Sequence, residues 1–123
     1  MKGDGWSLVS AERRHERYPD AFAIPDRAAR ESLQPGDAAK LLFEIGTRAD
    51  GRLVDRGVDR MWVIVTRRIQ GGYAGILESD PGTADGLDLY PGLEVRFGAE
   101  HVADIGHPPR SYLLDKYGRD FLS

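Results

Sequence analysis

Met61-Trp62-Val63-Ile64-Val65-Thr66, then Arg67-Arg68-Ile69-Gln70-Gly71-Gly72, then Tyr73-Ala74-Gly75-Ile76-Leu77-Glu78, is the stretch whose reading decides the fold. Two runs rich in β-branched and aromatic residues flank a Gly-Gly step, which is the signature of a β-hairpin. Successive side chains of a strand point to opposite faces. Met61, Val63 and Val65 therefore share one face, and Trp62, Ile64 and Thr66 the other. Both faces are largely apolar, which predicts a strand covered on both sides.

The same period-two pattern recurs on either side of the hairpin. Leu41, Phe43 and Ile45 alternate with Lys40, Leu42 and Glu44, giving a first barrel strand. Leu93, Val95 and Phe97 alternate with Glu94 and Arg96, giving a fourth, and Val102–Ile105 gives a fifth after a turn or single 3-10 turn at 98–101. Thr47–Asp59 is polar, contains Gly51 and Gly57, and reads as a loop. Ser79–Gly92 carries Pro81, Gly82, Gly86, Pro91 and Gly92 and cannot be a regular element. Truncating Val63 or Phe43 is expected to show that the core is Leu41, Phe43, Ile45, Met61, Val63, Val65, Leu77, Val95 and Phe97.

Upstream, Leu33-Gln34-Pro35-Gly36-Asp37 is a turn, with Pro at its second position and Gly supplying a positive φ at its third. Asp26 caps a short helix over Arg27–Ser32, and Phe22 and Ile24 anchor an extended link. Ser10 caps a helix through Ala11–Arg17 that stops before Pro19. Trp6–Val9 reads equally as a strand or as an anchor for the N-terminus. Downstream of Pro108-Pro109, helical spacing predicts a helix over Arg110–Phe121 with Tyr112, Leu113, Tyr117 and Phe121 as its packing stripe. The expected fold is α+β, mainly β: a small five-stranded antiparallel barrel, SH3-like or OB-like, with short N-terminal helices and a C-terminal helix. One domain spans 1–123, with a barrel core at about 37–105, a helical extension at 7–33 and a helical tail at 108–123.

Of 123 residues, 17 are basic and 20 acidic, a net charge of −3, which exerts no long-range pull toward nucleic acid or an anionic membrane. Fourteen of the basic residues are Arg, which reads as GC-rich codon bias and not as chemistry. There is no cysteine, so disulfides, thiolate catalysis and cysteine-based zinc or iron–sulfur sites are excluded. The N-terminus shows no apolar signal-peptide core and no stretch approaches the ~20 apolar residues of a membrane span. A soluble cytoplasmic protein without membrane association or a cofactor is the expectation.

Three stretches carry a resemblance. Phe22-Ala23-Ile24-Pro25 precedes Leu33-x-Pro35-Gly36-Asp37-x-x-Lys40-Leu41. Arg60-Met61-Trp62-Val63-x-Val65 precedes Gly72-Tyr73-x-Gly75-x-Leu77-x-x-Asp80-Pro81. Gly86-Leu87 and Gly92-x-x-Val95-x-Phe97 precede Glu100-His101-Val102-x-Asp104-Ile105. Over Trp6–Ile105 the chain resembles an uncharacterised bacterial family, a domain of unknown function. The motifs are core aliphatics, turn glycines and a Trp, so the resemblance implies a fold and a bacterial origin and carries no activity. Gly106–Ser123 lies outside it.

No strong motif writes a chemistry: no Gly-x-Ser-x-Gly, P-loop or dinucleotide fingerprint is present. His101, Asp104 and His107 are the densest set of metal ligands, but i and i+3 on a strand face opposite ways, so no metal is expected. Arg60, Arg67 and Arg68 form a local basic patch of the kind barrels use on oligonucleotides, against which stand few interleaved aromatics and the negative net charge. Trp62 reads as a ligand-stacking platform or, better, as a half-buried packing residue.

The favoured reading is a non-catalytic domain that binds another protein. Its expected surface is the Ser79–Tyr90 loop, where Asp80, Asp85 and Asp88 supply charge and Leu87, Leu89 and Tyr90 apolar area. The alternative for the loop is a structural wrapper, with Leu87 and Leu89 folded back on the barrel. The other function classes are a small hydrolase using Asp80 or the His101–His107 cluster, a weak nucleic-acid binder through the three arginines, and a toxin-immunity protein.

Overall fold

The structure, a computed structural model, describes residues 6–49, 52–80 and 89–122, with 47–49 and 52–56 as backbone. Six antiparallel strands form one curled half-barrel sheet with three short helices. The strands are β1 (Trp6–Val9), β2 (Ala38–Ala49), β3 (Arg52–Ile69), β4 (Gly72–Leu77), β5 (Glu94–Phe97) and β6 (Val102–Gly106). The helices are α1 (Ala11–Arg17), α2 (Arg27–Arg30) and α3 (Arg110–Tyr117), and a 3-10 turn, Ala99–His101, joins β5 to β6.

Strands β2 to β5 are a meander, and β6 returns to pair with β2. That order is a meander and not the Greek key of an OB fold. β1 lies on the same edge of β2 as β6, end to end with it: Val9 stands opposite Leu42 and Val102 opposite Leu41. Trp6–Val9 is therefore a strand, the sixth beside the five expected.

The expected loop at Thr47–Asp59 is the other correction. β2 and β3 stay paired out to Ala49 opposite Arg52, with a bulge at Thr47/Arg48. Apolar alternation reports burial, and a polar ribbon held by its own ladder carries none. The β3–β4 hairpin turns where Gly71-Gly72 marked it, through Gln70 and Gly71, the latter at φ 81°. Gly75 is required by close approach, since a Cβ there would lie 2.4 Å from the Ile64 carbonyl oxygen.

Inside the curl, all nine expected core residues are buried, joined by Leu33, Tyr73, Leu89 and Val102. The outer face is covered at two places. α1 and the link after it pack Ala11 and Phe22 on Leu42 and Ala103. α3 packs Leu113 on Ala38 and Ile64. The central strand is thus covered on both sides.

The helix signals in the sequence act as capping chemistry requires. Ser10 Oγ accepts from the Arg13 amide (3.2 Å) and Asp26 Oδ1 from the Ala29 amide (2.8 Å). The Gln34–Asp37 turn closes at 2.9 Å with Gly36 at φ 97°. The C-terminal stripe differs in one member: Leu113 is 1 % exposed, whereas Tyr112 is 45 % exposed. α3 stops at Gly118, at φ 101°, which ends the periodicity before Phe121. Among the described residues no helix is long and apolar enough to cross a membrane.

Candidate interaction surface

The loop expected to dock a partner is only partly within view. Asp85, Leu87 and Asp88 lie outside the described residues. Asp80 is exposed and Tyr90 is 54 % exposed. Leu89 is 3 % exposed and belongs to the main core, so it offers nothing to a partner. It lies just ahead of the return into β5, where the Gly92 amide donates to Leu77 (2.8 Å) and the Leu77 amide to Leu93 (2.9 Å).

The three arginines do not form a patch. Arg60 and Arg67 lie seven positions apart on β3, about 23 Å at strand rise. Arg67 faces Glu94 at 3.4 Å. Arg68 donates to the Glu31 and Leu33 carbonyls (3.2 and 3.4 Å) and lies over the Tyr73 ring. His101, Asp104 and His107 also have separate partners. His101 Nδ1 accepts the Gly98 amide (3.0 Å), Asp104 accepts the Ile105 amide (2.8 Å), and His107 Nδ1 sits 3.0 Å from Asp37 Oδ1. Among the described residues no three His, Asp or Glu side chains stand close enough to hold an ion.

Two polar networks fasten the helices to the sheet. Arg30, 6 % exposed, donates through Nε to the Pro25 carbonyl (2.9 Å) and through Nη1 to Glu12 Oε2 (2.6 Å) and the Ala99 carbonyl (2.9 Å). Tyr73 Oη donates to the Arg30 carbonyl (2.7 Å) and accepts the Leu33 amide (3.2 Å). One guanidinium therefore ties α1, α2 and the 3-10 turn together, and its hydrogen bond holds the Glu12 carboxyl below its ordinary range. Beside it, burial pushes His101 below its ordinary value, while Glu100 and then Glu12 pull the other way. On the opposite side, Glu78 accepts from Tyr112 Oη, Tyr117 Oη and Lys116 Nζ (2.8 Å). That carboxylate latches α3 to the end of β4 and raises the Lys116 ammonium above its usual value.

Between the two helical covers a strip of the outer face stays open. On β2 the outward residues run Ala38, Lys40, Leu42; on β3 their partners run Ile64, Trp62, Arg60. Ala38 and Ile64 go under α3, and Leu42 under α1 and Phe22. Lys40 and Trp62 lie between, both half-buried, with the Lys40 ammonium 4.9 Å from the Trp62 ring centroid. A cleft of about 440 Å³ opens on the Arg60 side, walled by Phe22, Ile24, Pro25 and Asp104. A second, of about 360 Å³, opens on the Ile64 side, walled by Trp62, Pro108 and Tyr112 with Glu78 at its edge. Gly106 belongs to that wall, because a Cβ there would lie 3.4 Å from the indole.

Among the described residues neither Lys40 nor Arg60 forms an ion pair. Arg60 lies over the Phe22 ring at 5.2 Å, as does Arg14 at 5.8 Å. Asp104, opposite Lys40 in the register, has its carboxylate on the Ile105 amide. Trp62 is half-buried and packs against the Ala38, Ile64 and Leu113 cluster, as the packing reading expected. Lys40 was not singled out in the sequence. The available signal was a lone cation in an apolar alternation, and only the β2–β3 register reveals that it faces Trp62. Compared with protein-family models, with curated proteins and with solved structures, the chain finds no match.

Proposed function

We propose that this is a non-catalytic domain that binds another protein, and that it does so through the open strip around Lys40 and Trp62. The observation that carries this reading is the strip itself: an aromatic–cation pair left between two helical covers, with a cleft on each side. Concave surface with an aromatic anchor and a few polar groups is what recognition sites are made of. The histidines and Asp104 that the hydrolase alternative would use each have a separate local partner. In the His101–His107 cluster, His101 accepts the Gly98 amide, Asp104 the Ile105 amide, and His107 lies on Asp37.

Affinity capture from a nuclease-treated lysate tests this, with wild-type protein compared against Lys40→Glu. Charge reversal at the centre of the strip is expected to remove a band that wild type retains. Identical captures from both would refute the strip as the docking site, and a band that nuclease abolishes would turn the reading to nucleic acid.

A further inference from the structure

We infer that the partner segment bound at this strip is an extended acidic peptide, with carboxylates for Lys40 and Arg60 and an apolar side chain for the Trp62–Tyr112 cleft. The inference rests on the docking reading above and names its chemistry.

Charge complementarity selects the occupant. Elsewhere Arg27 pairs with Glu31, Arg30 with Glu12, Arg67 and Arg96 with Glu94, and Lys116 with Glu78. At the strip, Lys40 and Arg60 rest on aromatic rings and form no ion pair among the described residues. A guanidinium lying over a ring keeps its N–H edge for a carboxylate, which it can bind bidentately. The two clefts differ in kind along the axis of β3. The Arg60 end has the two cations, and the Ile64 end has Trp62, Pro108 and Tyr112. From Arg60 to Ile64 is four residues, about 13 Å, which about four residues of extended peptide span.

Single-stranded nucleic acid fits the same strip less well. Such ligands stack bases on free aromatic faces, but here Lys40 lies over Trp62 and two arginines over Phe22, which is itself only 8 % exposed.

Fluorescence anisotropy on the full chain tests the inference with three labelled probes. These are a peptide of about eight residues alternating Glu and Leu, its Gln and Leu counterpart, and a thymidine oligonucleotide of similar reach. The Glu–Leu peptide is expected to bind saturably, about tenfold or more tighter than the Gln–Leu peptide, and to weaken about as much in Lys40→Gln/Arg60→Gln. Arg96→Gln, on β5 and in neither cleft, should bind as wild type. Far-UV circular dichroism checks that the double variant is folded, and single Arg60→Gln, at an exposed position, serves if it is not. Independently of any variant, raising salt from about 50 to 500 mM should weaken the Glu–Leu complex and spare the Gln–Leu one. Equal binding of the two peptides, an unaffected double variant, or a tighter oligonucleotide complex each overturns the inference. Capture of a strip-dependent protein without Glu–Leu binding leaves the docking function standing and refutes the acidic partner alone.

Discussion

Replacing Arg30 by Leu isolates what holds the helices on the barrel. Leu keeps much of the buried aliphatic volume and removes the guanidinium. Three acceptors then lose their donor: the Pro25 carbonyl, the Ala99 carbonyl and Glu12. The two carbonyl bonds are worth about 1 kcal/mol each and the charge-assisted one about 1.5 kcal/mol before discount. The Glu12 side chain is 33 % exposed and recovers part of its hydration, so the expected loss is about 3 kcal/mol, or a fall in Tm of roughly 10–15 °C for a chain of this size. Glu12→Gln removes the charge and leaves both carbonyl bonds, and should cost about 1 kcal/mol. Urea denaturation monitored by tryptophan fluorescence measures both. An Arg30→Leu variant within about 1 kcal/mol of wild type would refute the reasoning, as would a Glu12→Gln variant equally damaged. The pH dependence supplies a second check. Glu12 has its folded value lowered, so the pair's contribution is complete above the unfolded carboxyl range and is lost as pH falls through the folded value. Arg30→Leu should therefore lose less stability than wild type between about pH 5 and pH 3.

Val63→Ala and Phe43→Ala, both fully buried in the main core, should each cost about 2–4 kcal/mol in equilibrium denaturation; unchanged stability would mean the strand faces are wrongly assigned. Glu78→Gln should loosen α3 while leaving the sheet intact, with α3 amides exchanging about tenfold faster and β3 amides unchanged by hydrogen exchange; uniform protection would refute the latch. His101 should titrate below a free imidazole in NMR, because burial disfavours its charged form. Its folded value lies below the unfolded one, so stability is complete above the unfolded histidine range and falls as pH drops through the folded value. The Gly98 amide, which donates to His101 Nδ1, should shift with the same midpoint; a Gly98 signal that ignores the titration would break that link.

The parts of the fold that follow from local chemistry were legible in the sequence. Ser10, Asp26 and the Pro35-Gly36 turn announce themselves because capping and turn geometry involve neighbours in the chain. The core residues were legible because alternation and burial are the same signal seen twice. The outer arm of β2 and β3 was not, since its pairing is made by backbone bonds that leave no apolar mark. Nor was the Arg30 network, whose acceptors come from positions 12, 25 and 99 and meet only once the sheet has curled. The Lys40–Trp62 pair belongs with these. Each residue was visible, but their opposition depends on a register set by a long hairpin, and a shift of one residue would have put them on different faces.

The abutment of Val9 and Val102 along β2 makes β1 and β6 two halves of one composite strand, spliced from opposite ends of the barrel sequence. Neither half has anything to pair with until β2 is laid down, and the C-terminal half must wait for the whole meander to be threaded. Completing that edge is therefore the most non-local event in folding, and loop-closure entropy makes such closures late and slow. A nascent chain would display the bare edge of β2 throughout that interval, a template onto which another unfinished copy could add a strand. The splice that completes this side of the sheet is thus also the point where its assembly is most open to error.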